Sequence, residues 1–106
     1  MAPEQFGWSM GEANGDVIVV LRGELDMATE PEATSAIAAA EGASVRRLVL
    51  DLSALSFMGS CGVRMPLATA ERADGDGREM VIVPGRATER VLAATGVTDR
   101  FTYRRV

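Results

Sequence analysis

The chain has 106 residues, 47% apolar and 25% charged, with a net charge of −4 at pH 7; this bounds it to one globular domain, residues 1–106, able to bury a core without staples. The acidic balance gives no basic footprint for nucleic acid, the apolar runs are strand-sized, which excludes membrane insertion by a spanning helix, and no basic-then-apolar leader opens the chain, so a cytoplasmic protein is expected. With no His and a single cysteine, Cys61, the chain offers no internal disulfide, no multi-cysteine metal site and no imidazole base, so neither a metal, a cofactor nor catalysis is expected.

Phe6 to Met10 alternates apolar with small or polar residues and predicts a short edge strand. Asn14-Gly15 is the strongest hairpin cue in the chain, and the β-branched run Asp16 to Arg22 predicts the strand that pairs back. A loop is expected over Gly23 to Ala28. Thr29 and Glu32 have the spacing of a capping box, with Pro31 in the permitted first turn. The helix that follows, Glu30 to Glu41, places Ala33, Ile37 and Ala40 on one face and ends at Gly42. Arg46 to Leu52 is a nearly continuous apolar run, as in a strand covered on both faces, and Leu55 to Met58 continues it. A second helix is expected to begin near Ser60 to Val63 and run to about Ala73, with Val63, Leu67 and Ala70 inward. Pro66 disfavours helix at Met65, so this helix either starts late or is kinked. Asp74-Gly75-Asp76-Gly77 ends it; the tract is too short for a calcium loop and is read as a turn. Glu79 to Val83 predicts another buried strand. Ala87 to Thr95 predicts a third helix anchored by Val91 and Leu92 and stopped by Gly96. Phe101 to Tyr103 predicts a last short strand.

Strands alternating with helices after a hairpin argue for an α/β fold with a mixed, mostly parallel sheet covered by about three helices. Over residues 16–103 the pattern resembles the STAS family, the bacterial anti-sigma factor antagonists. Four segments carry the resemblance in order: Gly23-Glu24-Leu25-Asp26; Leu48 to Ser53 leading to Phe57-Met58; the turn Gly59-Ser60-Cys61-Gly62; and Val91-Leu92 through Thr95-Gly96-Val97. In that family the turn usually reads Asp-Ser-Ser-Gly or Asp-Ser-Thr-Gly, and a kinase phosphorylates the hydroxyl residue before the Gly. In this chain Gly59 replaces the Asp and Cys61 stands at the phosphoacceptor position.

The family switch has simple physics. A hydroxyl at a helix N-terminus sits where backbone N–H groups favour an anion, and phosphorylation adds about −1.5 to −2 charges there, repelling a partner that docks on the neutral turn. Ser60 offers a hydroxyl one residue early, as a displaced acceptor or, the reading preferred here, as an N-cap. Cys61 reads as a small apolar filler or as a thiol activated by the helix end. Asp26 reads equally as a partner-contacting carboxylate or as a local cap. Asp51 is expected to accept backbone hydrogen bonds in the next loop. Phe6 and Trp8 are expected to cover the core, and Arg104 and Arg105 to form a solvated tail.

The resemblance implies a protein-binding function. The partner would be an anti-sigma factor of the serine-kinase, ATP-binding fold, held by Asp26, Gly59, Ser60, Cys61, Gly62 and Arg64. A docking subunit of a transporter ATPase or stressosome-like assembly is the alternative within the family, and a small α/β enzyme the alternative outside it.

Overall fold

The hairpin cue at Asn14-Gly15 sets the first two strands. In the computed structural model, which describes residues 5–104, Asn14 (φ 54°) and Gly15 (φ 83°) both take the left-handed conformation that a two-residue hairpin turn requires. β1 (Gly7–Ala13) therefore folds back antiparallel on β2 (Asp16–Leu25), from Ala13 opposite Asp16 to Gly7 opposite Arg22. Every later strand enters parallel: β2 to β3 (Arg47–Met58), β3 to β4 (Glu79–Val83), and β4 to the two-residue β5 (Thr102–Tyr103). The result is one five-stranded sheet in sequence order. The parallel neighbours are joined by α1 (Glu30–Glu41), α2 (Arg64–Gly75) and α3 (Arg86–Ala94), as parallel pairing demands. This is the mixed, mostly parallel α/β sheet with three helices expected from the sequence.

Leu48, Val49 and Leu50 are consecutive and all buried. Because successive strand side chains point to opposite faces, β3 is covered on both sides there. The core joins Leu48 and Leu50 to Val17, Val19 and Leu21 of β2, Ala33, Ile37 and Ala40 of α1, Ile82 of β4 and Leu92 of α3, while Val49 is buried on the opposite face. Each fully buried Leu or Ile contributes about 1.5–3 kcal/mol. α3 reaches β3 closely because Gly85 lets it: a Cβ at that position would stand 2.8 Å from the Ser53 carbonyl oxygen.

Several boundaries differ from the sequence reading, each for a local reason. β1 extends past Met10 to Ala13, carried by the pairing with β2, and Trp8 is 38% exposed. Phe6 does pack on the core, whereas Trp8 does not cover it. β2 continues to Leu25 through the expected loop, with Gly23 at φ +89° where the chain passes Gln5 and Phe6. β3 is one strand of 12 residues, not a strand and an apolar appendix. Its register against β2 slips twice, between Val20 and Arg22 and between Gly23 and Glu24, and each slip gives β3 one extra residue. Leu52, Leu55 and Met58 are consequently all buried at a spacing of three, which breaks the alternation a strand normally displays.

Asp51 lies within this strand, and its Oδ1 accepts the Ser53 N–H at 3.0 Å and the Ser53 hydroxyl at 2.6 Å. The bonds are of the expected local kind, but no loop follows. α2 buries Met65, Pro66, Thr69 and Ala73, with Leu67 and Ala70 only half-buried, so its inward face is rotated from the expected one. Gly42 stands at the C-cap of α1 without left-handed geometry, at φ −73°. The left-handed stop is instead used at Gly96, φ +74°, beyond α3. Arg104 is not a free tail: its Nη2 pairs with Asp16 Oδ2 at 3.2 Å. Arg105 lies outside the described residues. No helix among the described residues is long and apolar enough to cross a membrane.

Candidate functional site

Parallel pairing brings the two signature loops together. β2 and β3 end in register, Leu25 opposite Met58, so Asp26 and Gly59 leave the same edge of the sheet side by side. The Gly59 N–H donates to the Leu25 carbonyl at 2.9 Å and fastens the two chain segments one residue beyond the strands. The carboxyl ends of parallel strands are where open α/β sheets present ligand- and partner-binding loops.

The Asp26 segment is a compact knot. Asp26 Oδ1 accepts the N–H groups of Ala28 at 2.9 Å and Thr29 at 3.1 Å, and the Asp26 carbonyl accepts the Glu30 N–H at 2.9 Å. Thr29 was the expected cap, but it makes no side-chain cap bond to α1. Its hydroxyl instead donates to the Glu24 carbonyl at 2.9 Å and accepts the Asp26 N–H at 3.0 Å. Asp26 thus closes a local turn just ahead of α1, whose own first N–H groups receive no side-chain cap. One carboxylate oxygen does this, and Asp26 remains partly exposed.

The Gly59 to Gly62 turn enters a single 3-10 turn, Ser60–Val63, that leads into α2 at Arg64. Pro66 therefore sits in the first turn of α2, where its missing N–H would have no intrahelical partner. Of the two alternatives for Pro66, the late start is the one taken, with the 3-10 turn filling the gap. Gly59, not Ser60, holds the N-cap position, at φ −73° and ψ 156°, and no side chain caps the turn. The N-cap reading of Ser60 is thereby corrected: Ser60 stands exposed on the turn.

Cys61 is a free, half-buried thiol. Gly62 is buried, and a Cβ there would lie 3.4 Å from Leu25 Cδ2 and 3.5 Å from Met58 Cγ, in ordinary contact with the core. Arg64 projects from the first turn of α2, its Nη2 3.9 Å from Glu30 Oε2 across the groove to α1. With the Arg64 side chain 76% exposed, that pair contributes little to stability.

Asp26, Gly59, Ser60, Cys61, Gly62 and Arg64 therefore share one end of the molecule. Two neighbours were not singled out from the sequence. Met27, beside Asp26, is 77% exposed, and Phe57, beside the turn, is 48% exposed. Among the described residues no three His, Cys, Asp or Glu side chains come together to hold a metal ion.

A family model described as the STAS domain matches residues 8–106, and the chain belongs to the STAS family. Anti-sigma-F factor antagonist RsfB of Mycobacterium tuberculosis is 29% identical over 100 residues, covering 94% of this chain and 82% of RsfB. RsfA of the same organism, also named an anti-sigma-F factor antagonist, is 36% identical over 86 residues, 78% of this chain and 67% of RsfA. The crystal structure of an anti-sigma factor antagonist from Mycobacterium paratuberculosis superposes with a TM-score of 0.81 at 35% identity, covering 96% of this chain and 87% of that one. The unphosphorylated form of the anti-sigma factor antagonist SpoIIAA, at 21% identity and a TM-score of 0.67, covers 92% of this chain and 88% of its own length, a likeness of fold.

Proposed function

We propose that this chain is an anti-sigma factor antagonist: it docks on an anti-sigma factor in the cytoplasm and so frees a sigma factor for transcription. The observation that carries the reading is the junction at the ends of β2 and β3. There the Gly59 N–H to Leu25 carbonyl bond sets the Asp26 knot against the Gly59 to Gly62 turn. Relatives that match most of this chain are named for antagonising an anti-sigma factor. The partner is a serine-kinase-type protein of the ATP-binding kinase fold, and the contact is made by Asp26, Gly59, Ser60, Cys61, Gly62 and Arg64. This chain performs no catalysis. It supplies a shaped surface with Met27 and Phe57 as exposed apolar flanks.

In this reading the phospho-switch is degenerate. A thiol is no ordinary substrate for a serine kinase, and Gly59 contributes no carboxylate. The protein is a constitutive binder governed by its abundance. Cys61→Glu places a charge on the turn and weakens binding to the host's anti-sigma factor at least tenfold, about 1.4 kcal/mol, by isothermal titration calorimetry. Unchanged affinity, with the fold intact by circular dichroism, would show that the turn is not the interface.

A further inference from the structure

A second surface lies on the other side of Phe57, outside the switch turn. Where β3 runs out against α3, a groove of about 510 Å³ opens, floored by Leu55 and Val91 and walled by Phe57 and Ala94, with Arg86 and Arg90 on its rim. The two arginines stand one helical turn apart on α3, and neither guanidinium makes a hydrogen bond or ion pair with another described residue. Their placement works against the helix. Like charges four residues apart repel. Arg86 also begins α3, where the helix dipole is positive, and its N-cap, Gly85, supplies no side-chain acceptor. Glu89 shares α3 but lines a different recess, with Leu92, Ala93, Thr98 and Tyr103. A chain of net charge −4 thus keeps an uncompensated pair of cations beside an apolar groove.

We infer that this groove takes a segment of the partner protein that carries an apolar anchor flanked by carboxylates. The anchor lies on Leu55, Phe57 and Val91, and the carboxylates answer Arg86 and Arg90 in bidentate fashion. The occupant belongs to the anti-sigma partner, a point that rests on the antagonist reading. Continuity supports it: Phe57 Cε2 lies 3.6 Å from where a Gly59 Cβ would stand, so the groove and the switch turn share a wall. The partner would span both surfaces, with the turn giving the switchable contact and the groove a fixed one.

The test uses the full chain, labelled with 15N, and a capped peptide of about twelve residues built from leucine and glutamate, with a counterpart carrying lysine for glutamate. The acidic peptide is expected to shift the amides of Phe57, Val91 and Ala94 saturably, more weakly as salt is added, and the basic peptide to leave them in place. Arg86→Glu with Arg90→Glu should lower the affinity at least tenfold, and Phe57→Ala should lower it as well. The peptide is titrated into the chain alone, with no anti-sigma factor present, and binding of the anti-sigma factor is measured separately, so failure of the groove is distinguished from failure of the antagonist reading. Absence of saturable shifts, shifts centred elsewhere, equal binding of the lysine peptide, or full affinity in the charge-reversed variant would each overturn the inference. Arg86→Ala with Arg90→Ala serves where charge reversal disturbs the fold.

Discussion

Restoring the family pattern at the turn, by Gly59→Asp with Cys61→Ser, should make the chain phosphorylatable without disturbing it. Position 59 has room. Its backbone is extended, at φ −73° and ψ 156°, and a Cβ would meet Phe57 Cε2 at 3.6 Å and Cys61 Sγ and the Leu25 carbonyl at 3.7 Å, all ordinary contacts. A carboxylate at this N-cap position gains at most a few tenths of a kcal/mol over glycine. Exchanging a half-buried sulfur for oxygen forfeits about 0.5 kcal/mol of apolar burial. The two changes nearly cancel, so the melting temperature should move by no more than about 2–4 °C. Incubation with the proposed kinase-type partner and ATP, followed by intact mass, should show one phosphoryl group on the double variant and none on the native chain. That group adds about −1.5 to −2 charges beside Asp26 and should cut affinity for the partner at least tenfold. An unmodified double variant would refute the claim that the two lost side chains are what disables the switch. Pro66 would not be an available excuse, because it sits within α2, behind the 3-10 turn. Stoichiometric phosphate on Ser60 of the native chain would show that the switch has moved by one residue.

Gly85→Ala should destabilise by about 1–3 kcal/mol in urea unfolding, because the added methyl meets the Ser53 backbone at 2.8 Å rather than a yielding side chain. Asp26→Ala should cost about 1 kcal/mol by removing the acceptor for the Ala28 and Thr29 N–H groups. Asp26→Asn keeps that acceptor and should leave stability within a few tenths of a kcal/mol; a loss of partner affinity in it then reports the carboxylate charge alone. Leu25→Ala should cost about 2–5 kcal/mol, the range for a fully buried leucine, measured by thermal unfolding.

What the sequence disclosed and what it hid divide along physical lines. Strong local chemistry was legible. Asn14-Gly15 dictated a hairpin, the run from Glu79 to Val83 gave β4 with its observed ends, and Pro31 and Gly42 bracketed α1. Features set by pairing between distant residues were hidden. The strand expected over Arg46 to Leu52 runs on to Met58, hidden because its slips against β2 space the later buried residues by three. The carriage of β2 through Gly23 to Leu25 depends on β3 lying alongside. The Thr29/Glu32 spacing fitted a capping box, yet α1 has no side-chain cap: the Thr29 hydroxyl is committed to the Glu24 carbonyl, and Asp26 closes the turn ahead of the helix. Arg104 read as a tail because nothing in sequence places it beside Asp16, 88 residues away. At the site, the resemblance named residues that the fold gathers at one end of the molecule, but only the strand register shows that Leu25 and Gly59 meet there.

The structure also bears on how such a turn can change its side chains and keep its shape. The turn is held by groups that substitution at positions 59 and 61 does not touch. Two are backbone bonds, Gly59 N–H to the Leu25 carbonyl and Gly62 N–H to the Gly59 carbonyl, both 2.9 Å. The others are the buried Gly62 and Val63, packed with Leu25 and Met58 of the core. Neither the Cys61 thiol nor a side chain at Gly59 enters that set of bonds. Presentation of the turn and chemistry on the turn are therefore separable: the first belongs to the sheet and its core, the second to exposed or half-buried positions that the fold leaves open. A turn held this way can change its side chains at positions 59 and 61 with little cost in stability. In the proposed function Gly59 and Cys61 remove the off-signal and leave the docking surface in place, so the amount of protein, set against that of its partner, decides how much sigma factor is released.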